Sequence, residues 1–217
     1  MASTIIHLAV AKKMEAQLNL KRKNDFYLGV IAPDLSKQIG KTKEISHLLI
    51  NTKDNVPNME LFEYRHKDFR DFDFDLGYFV HLYTDKLWFE NFINKINNSE
   101  YIKLLDGSIV KTSSKEMENM IYSDYTNINK QLIDEYNLDL KIFYEEYKIP
   151  ESHINEIPLN KLDILINKMG LLIENSKETK PYTFDLKPVK EFIDEAAEII
   201  LKEINKEYDN PTLFIIH

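Results

Sequence analysis

The chain has no cysteine, which excludes disulfides, thiolate catalysis and thiolate-bound zinc together. Any metal it holds must be bound by histidine, carboxylate and water. Glycine and proline are scarce, 5 and 7 in 217 residues, so tight turns are few and the helical periodicity that fills most of the chain is rarely interrupted. Hairpin signals are nearly absent. No apolar run approaches the ~20 residues that span a bilayer, so no transmembrane segment is expected. The start, Met1-Ala2-Ser3-Thr4-Ile5-Ile6-His7, has neither the basic opening nor the apolar core of a signal peptide. These absences predict a cytoplasmic protein. Positive charge is not in excess either: a net charge of −8 argues against an extended nucleic-acid surface, although a small pocket can still bind one phosphate.

What is present suits a folded domain. Hydrophobic residues make up 43% and charged residues 29%, and 12 Tyr with 12 Phe supply bulky material for a core. The length fits a single domain over 1–217, and no repeat or linker divides it. The expected fold is all-α, a single-domain multi-helix bundle.

Periodicity places the helices. The first starts after Ser3 or Thr4 as N-cap and runs to about residue 20, with His7, Ala11, Met14 and Leu18 along one face. The stretch from Gly29 to Pro33 breaks regularity and delivers Asp34 in a loop or at a helix start, and a short element carrying His47 follows. A polar loop over 51–57 precedes a helix over about 59–69, whose charged face carries His66. The next long helix covers about 76–96. Asp106-Gly107 predicts a turn between two short extended pieces within 101–110. A second long helix, about 114–136, carries Asp124 on the apolar stripe of Met117, Ile121, Ile128 and Leu132, flanked by Tyr125 and Asn129. Further helices are expected near 138–147, 159–172 and 188–207, with a loop at 177–181 and an apolar tail from 212.

Within the 76–96 helix, Gly77-Tyr78-Phe79-Val80-His81-Leu82-Tyr83-Thr84-Asp85 sets a histidine and an aspartate on one helical face. Trp88 and Phe92 continue that face, so it points toward a core. A carboxylate buried there must be paired, hydrogen-bonded, neutralised or metal-bound. His7, His47 and His81 occupy apolar or turn contexts, and with Asp34 and Asp85 they form a set of imidazoles and carboxylates of the kind used by catalytic zinc, manganese and iron sites. Each also has a plainer reading taken singly. His7 could be a core histidine bonded to a carbonyl, Asp34 an N-cap, His47 a loop histidine, the His81 and Asp85 pair a helix ion pair, and Asp124 an acceptor for a nearby tyrosine.

The order of these segments adds more. An early helix with His7, then Phe26-Tyr27-Leu28-Gly29-Val30-Ile31-Ala32-Pro33-Asp34, then Ser46-His47, then the His81-x-x-x-Asp85 helix resembles the bacterial zinc-dependent phospholipase C family, which is related in fold to the zinc-dependent single-strand nucleases. The resemblance spans roughly the first 90 residues. It implies a mostly helical fold and a zinc cluster that cleaves phosphoester bonds. Asp34, His47, His81 and Asp85 would surround one metal, and Asp85 would bridge to a second that His7 also ligates. Secreted members use the amino group of an N-terminal tryptophan as a ligand, whereas this chain begins Met1-Ala2. Their further set of two histidines and a glutamate has no clear counterpart, because the only later histidines are His153 and His217. His153 and Glu156 have helical i, i+3 spacing, read here as a polar helix start.

The resulting expectation is a metal-dependent hydrolase with one or two zinc ions, the same donors also suiting manganese or iron. Its substrate would be a small phosphoester, lipid-derived or nucleotide-like. Asp34 would orient the attacking water, with Asp124 a second candidate base; Lys37, Lys41 and Lys43 read as solvated. An HD-domain phosphohydrolase fits less well, since its adjacent His-Asp pair is missing. The alternative from another class is a non-catalytic helical binding protein that retains a structural metal.

Overall fold

The computed structural model describes residues 1–50, 55–98, 100–140, 147–174 and 180–206, with backbone alone at 170–174. The first helix, α1 (Thr4–Met14), begins where Ser3 is extended and its hydroxyl accepts the Ile6 N–H, the N-cap expected of that residue. It ends earlier than its apolar spacing suggests. A 3₁₀ turn, Glu15–Gln17, follows, and there the Glu15 carboxylate is held by the Lys23 ammonium and the Tyr27 hydroxyl, each at 2.8 Å. These contacts tie the end of α1 to α2 (Lys23–Ile31). A 3₁₀ turn at Ala32–Asp34 and the short α3 (Leu35–Gln38) complete this part.

The helix α5 (Asp73–Leu87) lies across α2 at unusually close range, and two glycines explain why. A Cβ on Gly29 would fall 2.0 Å from the Phe74 carbonyl oxygen, and one on Gly77 would fall 2.0 Å from the Phe26 carbonyl oxygen. Each helix thus presses its backbone into the gap left by the other's missing side chain. The 76–96 helix predicted from the sequence starts sooner, at Asp73, and changes pitch at its end. It widens into a π-helical turn, Trp88–Ile93, before α6 (Asn94–Ile96). Trp88 stacks on Phe92 at 4.0 Å and meets Phe192 edge-on, so the wider turn seats both rings in the core.

A hairpin of β1 (Tyr101–Lys103) and β2 (Ile109–Lys111) pairs Tyr101 with Lys111, and Gly107 takes the positive φ of 86° that its turn requires. The fold is therefore mostly α, with one small antiparallel sheet. Next, α7 (Ser114–Glu135) opens on a capping box between Ser113 and Glu116. After α8 (Leu162–Glu174), α9 (Leu186–Ile204) buries Val189, Phe192, Ile193, Ala196, Ala197 and Ile200 along one stripe against α1 and α5. The Arg70 guanidinium donates to the carbonyls of Glu203 and Ile204 at the end of α9.

Two expectations are corrected. His66 does not lie on an exposed helix face: α4 (Met59–Arg65) stops one residue before it, and the ring is buried, with Nε2 3.1 Å from Glu156 Oε1. No helix starts at His153, because the Ser152 hydroxyl and the His153 N–H are both drawn to the buried carboxylate of Asp75, holding this segment extended. The helix expected near 138–147 lies largely outside the described residues, as do most of the loops at 51–57 and 177–181 and the apolar tail. Among the described residues, no helix is long and apolar enough to cross a membrane.

Candidate metal centre

His81 and Asp85 occupy one face of α5, and both are completely buried. The close approach at Gly29 and Gly77 brings His81 Nδ1 to 2.7 Å from the carbonyl oxygen of Val30. That carbonyl is one of the last four in α2, which have no acceptor role inside their own helix. The ring therefore donates its Nδ1 proton to Val30 and leaves the Nε2 lone pair pointing into the interior. His47 is held by a hydroxyl instead of a carbonyl. Its Nδ1 lies 3.0 Å from the Ser46 hydroxyl, and the Tyr78 hydroxyl donates to the Ser46 carbonyl at 2.6 Å, pinning this turn to α5.

The consequence is that the two Nε2 atoms face each other at 3.3 Å. Burial lowers the His47 pKa to about 4 and that of His81 well below the ordinary histidine value, so both rings are neutral near pH 7. His7 on α1 stacks flat on His81 at 3.8 Å. Its Nε2 is 3.3 Å from Asp85 Oδ1 but not aligned for a hydrogen bond, and neither ring nitrogen has a hydrogen-bond partner.

Asp85 is divided between two tasks. Its Oδ1 accepts the Ala2 N–H at 2.8 Å, whereas its Oδ2 lies 3.6 Å from His47 Nε2 and 3.7 Å from His81 Nε2 with no hydrogen bond. Burial alone would raise its pKa, but the positive ends of its neighbours, His7 foremost, hold the carboxyl well below the usual range. Asp34, from the 3₁₀ turn after α2, places Oδ1 3.9 Å from His47 Nε2 and Oδ2 3.4 Å from the Thr4 hydroxyl. Asp34 also lines an open cleft.

All five residues singled out in the sequence thus meet in one place. Two groups each offer three donor atoms within 4.8 Å of one another: His7, His81 and Asp85, and Asp34, His47 and His81. His81 is common to both, and Asp85 Oδ2 reaches toward the second. Buried nitrogen and carboxylate atoms without hydrogen-bond partners are costly unless something else engages them. A divalent cation fits this donor set, since neutral imidazole and ionised carboxylate are the ligands zinc takes in the absence of thiolate.

Asp124 is elsewhere. Its Oδ1 accepts the Tyr182 N–H at 2.7 Å, and its Oδ2 accepts the Thr183 N–H at 2.7 Å, the Thr183 hydroxyl at 2.6 Å and the Phe184 N–H at 3.3 Å. The carboxylate anchors the segment entering α9 and belongs to neither donor group. Lys43 departs from the solvated reading: it is half-buried, and its charge is felt by both Asp34 and Asp85. Sequence reasoning also missed the groups that hold the cluster, namely the Val30 carbonyl, Ser46, and a relay in which Trp88 Nε1 donates to Tyr125 OH and Tyr125 OH to the Met1 carbonyl. One signal was available. Three of the five glycines, at 29, 77 and 170, fall inside helical runs, the kind of placement that marks a close backbone approach at 29 and 77.

Comparisons with family models, with curated proteins and with solved structures each return no match.

Proposed function

We propose that this chain is a metal-dependent hydrolase that cleaves a phosphoester, built on a helical bundle of the phospholipase C and single-strand nuclease type. The observation that carries the reading is the meeting of His7, Asp34, His47, His81 and Asp85 in two overlapping donor groups, with both His7 nitrogens and Asp85 Oδ2 buried without hydrogen-bond partners. Zinc is the proposed metal, one or two ions held by these five residues. A divalent ion there supplies a Lewis acid that polarises a phosphoryl oxygen and acidifies water.

The remaining contributions come from the chain itself. The Val30 carbonyl fixes the tautomer of His81 so that its Nε2 carries the lone pair, and the Ser46 hydroxyl orients the His47 ring. The Ala2 N–H orients Asp85. Asp34, at the junction of cluster and cleft, is positioned to orient an attacking water and accept its proton at a carboxylate oxygen. Asp124 has no such access.

Elemental analysis of protein purified without added metal, followed by phosphoesterase assay with and without chelator, tests the proposal. The expected result is one or two zinc ions per chain and chelator-sensitive turnover. Absence of bound metal would sink it. Bound zinc without turnover of any phosphoester would favour the non-catalytic metal-binding alternative.

A further inference from the structure

The open cleft beside Asp34 has a volume of about 440 Å³, within the ~300–1,000 Å³ typical of small-molecule sites. One wall is the N-terminal turn of α1 with Met1 and Ala2; the others come from α3, α7 and α8. Lys37 and Lys168 line it from α3 and α8, and Tyr122 and Asn129 line it from α7. The Tyr122 hydroxyl steadies the Lys37 ammonium at 3.2 Å, and the same ring lies 5.3 Å beneath that charge.

Two groups at or just behind this cleft lack the partners their burial calls for. The Lys43 ammonium is half-buried behind Met1, which lines the cleft while Lys43 does not; its contact is the Met1 thioether at 3.0 Å, a weak acceptor, and the charges of Asp34 and Asp85 act on it. The side-chain oxygen of Asn129, a residue only 6% exposed, has no hydrogen-bond partner. A cation at the edge of a metal centre suits an anionic ligand, and an unused amide oxygen suits a ligand that brings a hydroxyl donor. The apolar part of the lining comes from Met1, Ala2, Ile5 and the rings of Tyr122 and Tyr125.

We infer that the cleft binds the phosphate ester of a small polar alcohol, with Lys37 holding the phosphate beside the metal centre, the Lys43 charge supporting it from behind Met1, and Asn129 taking a hydroxyl of the alcohol. This rests on the metal-centre reading and names its substrate class. Both lysines follow Asp34 within ten residues, so one short segment carries both positive charges and the half-buried carboxylate that meets the cleft.

Calorimetric titration of zinc-loaded protein with inorganic phosphate, glycerol phosphate and a short-chain phosphatidylcholine tests the inference. Zinc content is measured on every sample, so failure of the metal centre is seen apart from failure of the cleft. Lys37→Met should weaken inorganic phosphate binding by about tenfold at unchanged zinc content, the loss expected for a charge-assisted hydrogen bond, and Lys43→Met should weaken it by less, through charge alone. Asn129→Ala should weaken glycerol phosphate and leave inorganic phosphate alone. Unaltered phosphate affinity in both lysine variants at full zinc content would overturn the assignment, as would tighter binding of the phospholipid than of glycerol phosphate. A wild-type protein that takes up no zinc would remove the metal centre and this ligand with it.

Discussion

Asp85 and Asp124 are alike in the sequence and opposite in the structure. Each is an acid on the apolar stripe of a long helix, and each is completely buried. Asp124 is saturated: three backbone N–H groups and a hydroxyl converge on it from the segment before α9. Asp85 receives one backbone N–H on Oδ1, while Oδ2 faces two imidazole nitrogens with no hydrogen bond. Burial therefore does not separate an architectural carboxylate from one available for chemistry; the state of its lone pairs does. A saturated carboxylate has no capacity left for a cation, whereas an under-coordinated one facing the neutral imidazoles of His47 and His81 is poised for it.

The largest effect on the fold is expected at Asp124. Asp124→Ala strands the N–H groups of Tyr182, Thr183 and Phe184 in the interior, and denaturant unfolding should show a loss of roughly 4 kcal/mol with metal content per folded chain unchanged. If zinc is lost instead, the division of labour between the two acids is wrong. Gly77→Ala comes next. Its new methyl group meets the Phe26 carbonyl, α2 and α5 must separate, and a cost of about 3 kcal/mol is expected. Because the same contact carries the bond from His81 to Val30, zinc affinity should fall by about tenfold or more in a chelator competition.

Acidification sharpens the comparison from the metal side. The pKa of His47 is lowered by burial from 6.5 to about 4, so below pH 6.5 the unfolded chain takes up a proton that the native state refuses. The metal-free protein should lose stability as pH drops from about 6.5 toward 4, at ~1.4 kcal/mol per pH unit for this residue. Urea titrations across that range measure it, and His47→Gln should flatten the slope. At Asp85 the effect expected is on the metal more than on the fold. Asp85→Asn keeps an acceptor for Ala2 but gives up the carboxylate, and zinc binding should be lost. Retention of full zinc occupancy by this variant would break the assigned ligand set.

Much of this was legible in the residue pattern. Local signals found the Ser3 cap, the hairpin turn at Gly107, and the burial of His81 and Asp85, because caps, positive φ and helical periodicity are properties of neighbours in sequence. The five cluster residues were named in advance because they are chemically distinctive in apolar or turn contexts. What escaped depends on partners far along the chain. Asp124 is saturated by residues 58 to 60 positions away, and nothing local announces that. His66 was misplaced for the same reason, since its partner Glu156 lies 90 positions on. The π-helical turn was invisible too, because Trp88 and Phe92 satisfy an ordinary helical period and only their packing selects the wider pitch.

That turn gives the protein a built-in optical reporter. Trp88 is the single tryptophan, and its indole N–H ends in a hydroxyl that in turn grips the backbone of Met1, next to the residue whose N–H orients Asp85. Any event that loosens the first residues from the cluster must break or lengthen this relay and change the polarity around the indole. Intrinsic fluorescence from one native side chain therefore reads the seating of the amino-terminal segment directly, without a label and without a substrate.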